Sequence, residues 1–123
     1  VFSAWAGFMD DPLRIVIVGD QVFARIEAGA GYSTSGVRLE NGTWVHVAAV
    51  KRANDLILYI NGERVQVANG PAQVFSRARN VAVGTNPNYG GNECLVGDVD
   101  DFCLYAEALT DRQVANIFRT GKP

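Results

Sequence analysis

The sequence predicts an all-β fold, an antiparallel sandwich or barrel, with one short C-terminal helix. Three observations carry this. Short β-branched runs recur with turn residues between them. Asn61-Gly62 joins two such runs with the residue pair that a type I′ hairpin turn prefers, because both central positions need positive φ. Helical periodicity is convincing only once, after Thr110.

Taken in order, "VFSAW" opens the chain as a strand, and "LRIVIVG" (13–19) is an apolar, β-branched second one. "QVFARIEA" (21–28) alternates, with Val22, Ala24 and Ile26 on one face and Phe23, Arg25 and Glu27 on the other. "GAGYSTSG" (29–36) reads as a loop. Asn41-Gly42 turns the chain into the strand "TWVHVAAVKR", and residues 53–55 turn it into "LILYI". The Asn61-Gly62 turn leads to "ERVQVA", and "NGP" (69–71) breaks the pattern. "RNVAVGT" (79–85) is a strand, "NPNYGGNE" (86–93) a long polar loop, and a last strand runs from about 96 to 106.

The helix has its own punctuation. Thr110 is the expected N-cap and Gln113 stands at N3, which completes a capping box. Leu109 and Val114 occupy the hydrophobic-staple positions. Val114, Ile117 and Phe118 share a face, and Gly121 stops the helix.

The bulk numbers narrow the function classes. The 123 residues suit one domain, with 48% hydrophobic and 20% charged residues, an ordinary globular balance. A net charge of −2 gives no electrostatic footprint for nucleic acid and no polybasic patch for a membrane surface. No apolar run is long enough to insert as a membrane-spanning helix. "VFSAW" and "RTGKP" read as cuts within a longer protein. Cys94 and Cys103 are too few for a disulfide scaffold or a zinc site. In one straight strand their sulfurs would lie ~30 Å apart, so a bridge needs the chain to fold back near Gly97. Two separate buried thiols are the alternative.

The motif order is specific. Trp44, His46, Val47 and Ala48 precede Leu56, Leu58, Tyr59, Asn61 and Gly62; then come Gly84 and the run Gly97, Val99, Asp100, Asp101, Tyr105, Ala108, Leu109, Thr110. This resembles the laminin G-like jelly roll of the concanavalin A-like lectin/glucanase fold across about residues 40 to 120. The resemblance implies a two-sheet jelly-roll sandwich in an extracellular or cell-surface protein. It also implies a non-catalytic module that binds a glycan or a cell-surface protein. An assembly module that contacts protein partners is the alternative, and a glycoside hydrolase the third reading. The family places further strands before the region matched by residues 1 to 39. Their absence from this sequence leads us to expect a homo-oligomer, a strand donated by a partner, or a rearranged sandwich.

Candidate sites follow. The resemblance implies a structural calcium ion, with Asp100 and then Asp98 as side-chain ligands. The competing reading is a β-bulge at Asp100-Asp101, which lets Val99 and Phe102 both face the core. Retaining glycosidases need two carboxyl groups roughly 5–5.5 Å apart. Here Phe102 takes the place of the second acid, so no catalytic residue is assigned. His46 and Trp44 read as core. Asn86, Asn88, Tyr89 and Asn92 combine amides with an aromatic face, the mixture that recognises sugar hydroxyls and C–H faces; Tyr32, in the other long loop, is a further candidate. A solvated loop of turn-forming residues is the alternative. Asn41-Gly42-Thr43 is a glycosylation sequon, relevant only in a eukaryotic secretory setting.

Overall fold

A computed structural model describes residues 1–89 and 91–122. Two antiparallel sheets stack face to face, with a helix on the far side of the smaller one. The larger sheet contains β1 (Phe2–Ser3), β2 (Asp10–Val18), β3 (Gln21–Ala28), β4 (Gly31–Ser33) and β9 (Ala82–Val83), in the order β4-β3-β2-β1-β9; β5 (Val37–Arg38) also pairs with β3. The smaller sheet is the meander β6 (Val47–Arg52), β7 (Asp55–Ile60) and β8 (Glu63–Asn69).

The alternation read in 21–28 is the one observed. Val22, Ala24 and Ile26 point inward and are fully buried against Leu56 and Leu58 of β7. The other face of β7 is covered as well. Ile57 and Tyr59 pack with Val50 and with Val114 of α1 (Asp111–Thr120). Coverage on both sides explains why "LILYI" is continuously apolar rather than alternating. Val114 is fully buried, which at ordinary transfer energies is worth roughly 1.5–3 kcal/mol.

The local signals behave as their chemistry requires. Asn61 and Gly62 have φ of 50° and 81°, the type I′ turn. Thr110 accepts from the Gln113 backbone N–H while the Gln113 side chain accepts from the Thr110 N–H. Gly121 closes the helix at φ 72°, its N–H donating to the Ile117 carbonyl.

Several expected elements differ. The strand expected at about 96–106 is irregular throughout. The Leu95 N–H, donating to the Gly84 carbonyl, ties its approach to the end of the larger sheet, and the Phe102 ring stacks on Phe2 of β1 at 5.5 Å. After Leu95 the residues Asp98, Asp100 and Asp101 disfavour extended pairing, and Asp101 turns aside at φ 52°. Asp100-Asp101 is therefore not a β-bulge, since no strand surrounds it. "RNVAVGT" contracts to the two residues of β9. The expected loop at 29–36 contains β4. The strand after Asn41-Gly42 starts only at Val47, which leaves Trp44 71% exposed instead of in the core. His46 is half-buried, its ring 5.7 Å from that of Phe118. Its Nδ1 has no hydrogen-bond partner among the described residues, and burial lowers its pKa. Both cysteines are free and exposed, neither bridged nor buried. Gly90, within the expected polar loop, and Pro123 lie outside the described residues.

Candidate recognition site

The site is built on the outer face of the larger sheet. In the β2–β3 ladder Asp11 pairs with Glu27, and Arg14 pairs with Arg25, with a register shift between the two pairs. Between these pairs Pro12 and Leu13 of β2 oppose the single residue Ile26 of β3. This is a bulge, and Pro12, which has no N–H to give a ladder, lies within it. The extra residue brings Asp11 and Arg14, three apart, to the same side as Glu27.

Asp11 is fully buried there. Its carboxylate accepts from the Ser3 hydroxyl at 2.7 Å and from the Ala4 N–H at 3.1 Å, and stands 3.6 Å from Arg14 Nε. Burial raises its pKa. The bonds from Ser3 and Ala4 and the charge of Arg14 pull in the opposite direction without cancelling that rise. Arg14 spreads its guanidinium over three acids, reaching Glu27 Oε1 at 3.4 Å and Glu93 Oε2 at 3.5 Å besides Asp11.

Glu93 carries the network into the polar loop. Asn86 is buried, and its Nδ2 donates to Glu93 Oε2 at 3.2 Å. Its Oδ1 accepts from the Asn88 N–H at 3.3 Å, closing a turn of the kind asparagine favours. Asn88 Nδ2 then donates to the Trp5 carbonyl at 2.7 Å, and the rings of Tyr89 and Trp5 meet edge-on at 6.0 Å. Trp5 N–H donates to the Ser3 hydroxyl, which itself holds Asp11. The contacts therefore run in a ring from Asp11 through Ser3, Trp5, Asn88, Asn86, Glu93 and Arg14 back to Asp11.

Of the residues read from sequence, Asn86 and Asn88 are members of this ring, and Tyr89 meets it edge-on at Trp5. Asn92 is exposed beside it, its carbonyl accepting from the Cys94 N–H. Tyr32 does not join them, because it lies on β4 rather than in a loop and packs half-buried against the core. Trp5, Ser3, Asp11, Arg14, Glu27 and Glu93 were not anticipated. A proline beside paired acids at the head of a strand run was the available signal, since it marks a bulge.

Asp98 and Asp100 are exposed, and Asp100 Oδ1 accepts from the N–H of Asp101. Among the described residues no three His, Cys, Asp or Glu side chains gather where a metal ion could be held. Calcium takes roughly six to eight oxygens. Asp98 and Asp100 would supply two carboxylates, and backbone carbonyls and water would have to supply the rest.

A family profile described as the concanavalin A-like lectin/glucanases superfamily, within the laminin G group, matches residues 4–115. A search of curated proteins found no match. Among solved structures, an S-layer domain-containing protein from Clostridium thermocellum ATCC 27405 (residues 221-444) is similar at 17% identity with a TM-score of 0.52. The match covers 93% of this chain and 65% of that one.

Proposed function

The chain belongs to the concanavalin A-like lectin/glucanase superfamily, and from that premise we propose that it is a non-catalytic carbohydrate-binding or adhesion module. The setting we infer is extracellular or at the cell surface. The S-layer domain named in its structural neighbour supports that setting. No helix among the described residues is long and apolar enough to cross a membrane.

One observation carries the binding site. The 86–93 loop is fastened to Trp5 and to Arg14, so its amides and the Tyr89 ring are held before any ligand arrives. Buried Asn86 holds the loop, while exposed Asn88 and the Tyr89 ring are presented to a sugar, and fixing them in advance lowers the ordering cost of binding. The ring's carboxylates are engaged by Arg14, Ser3 and Asn86, which suits holding a loop more than transferring protons.

Titration with a panel of neutral and acidic oligosaccharides, followed by NMR of the labelled chain, tests this. Shifts should centre on Asn86, Asn88, Tyr89 and Trp5, and Tyr89→Ala should weaken affinity by at least about tenfold. Shifts confined to other surfaces, or release of a shortened glycan, would overturn the reading.

A further inference from the structure

At β1 the inner face of the larger sheet is covered by the chain's own 96–106 segment, the Phe102 ring stacking on buried Phe2 at 5.5 Å, and a groove is left beside that contact. This apolar groove of about 300 Å³ is floored by Phe2, Ala4, Pro12 and Leu13, with Arg79 and Val81 on one wall and Leu104 on the other. The walls are unlike in charge. The Leu104 side belongs to a segment with Asp98, Asp100, Asp101 and Glu107 and no Lys or Arg from 94 to 111. The opposite side carries Arg77 and Arg79. Arg77 is drawn to Asp10 at 3.6 Å. Among the described residues, neither Arg79 nor any of those four acids forms an ion pair. Apolar side chains remain exposed on both walls, Val81 at 54% and Leu104 at 59%. Such surface is what monomeric proteins avoid unless it meets a partner.

We infer that a second copy of this chain covers the groove, with the Arg77–Val81 segment of each copy against the Asp98–Glu107 segment of the other. A two-fold axis through the groove brings unlike walls together twice, as an isologous interface requires. Charge complementarity selects this occupant. The chain itself carries the cation that its acidic wall lacks and the acids that Arg79 lacks. This surface lies on the inner side of the larger sheet, so the inference stands apart from the glycan reading.

Sedimentation velocity with the purified chain tests it. The wild type should sediment at twice its 13.3 kDa mass at low ionic strength and dissociate as salt rises. Arg79→Glu and Asp100→Lys should each raise the dimer dissociation constant at least about tenfold. An equimolar mixture of the two should regain the dimer, because it pairs the introduced lysine with the introduced glutamate and keeps one native Asp100–Arg79 pair. Circular dichroism checks that each variant folds; where one does not, the salt series on the wild type decides. A wild type that stays monomeric, a dimer that strengthens with salt, or a mixture of folded variants that remains monomeric overturns the inference. So does a groove covered only after an unrelated extended peptide is added.

Discussion

Asp11 and Arg14 are three residues apart in one strand yet face the same side of the sheet, with Oδ2 and Nε 3.6 Å apart. Asp11 is the anchor of this pair, because it also holds Ser3 and Ala4. Asp11→Ala leaves a mostly buried guanidinium with less compensation and strands the Ser3 hydroxyl and the Ala4 N–H. The expected cost is about 3 kcal/mol of unfolding free energy, read from urea denaturation. The 86–93 loop should loosen with it, seen as faster amide exchange at Asn88 and Tyr89.

Acid should act on Asp11 and Asp111 in opposite senses. The folded pKa of Asp11 is raised from 3.8, so it favours folding most below the unfolded value and loses that contribution as pH rises through the folded one. The pKa of Asp111 is lowered, first by the Tyr59 hydroxyl and then by Arg52 and Arg64, so its contribution disappears as pH falls through the folded value. Tyr59, pushed up to about 12 by burial and then by Asp111, remains a donor throughout the acid range. Removing Asp11 as a titrating group with Asp11→Asn should therefore steepen the loss of stability on acidification. Urea midpoints measured from neutral pH to below 3.8 check this; an unchanged slope would refute it.

Gly62 should tolerate no side chain. A Cβ there would lie 3.0 Å from Phe118 Cβ and 3.1 Å from Ala115 Cα, at a φ of +81°. Gly62→Ala combines backbone strain with displacement of α1, and should cost about 2 kcal/mol. Helical ellipticity should begin to fall before the sheet signal does.

Calcium should leave this chain unmoved. Extracellular calcium modules bind at roughly 0.1–1 mM with a full oxygen cage. Asp98 and Asp100 offer two exposed carboxylates. Thermal unfolding with about 1 mM calcium and with chelator should coincide, because two exposed carboxylates give the folded chain little more hold on the ion than the unfolded chain has. A rise in midpoint reversed by chelator, and lost in Asp100→Asn, would contradict this.

What could be read in the sequence was local chemistry. The Asn61-Gly62 turn, the Thr110–Gln113 box and the alternation of Val22, Ala24 and Ile26 are determined by neighbours within a few positions, and each stands as read. The run at 96–106 has strand-like apolar spacing, but a strand also needs an adjacent edge, and no spacing announces whether one is free. Trp44 illustrates the same gap, because its burial depends on what packs over it. In the site, Asn86, Asn88 and Tyr89 were legible as a polar loop with an aromatic. Their fastening to Trp5 and Arg14 was not, because those contacts span some 80 positions of chain.

The β7 strand, covered on both faces and paired on both edges, has a temporal consequence. Its neighbours β6 and β8 adjoin it through short turns, so that meander can zip from nearby contacts. The β1–β9 pairing joins Phe2 to Val83, far apart along the chain, and has a large loop to close first. Assembly should therefore proceed from the middle of the chain outward, and the seam beside Phe2 should be the last to knit and the first to fray.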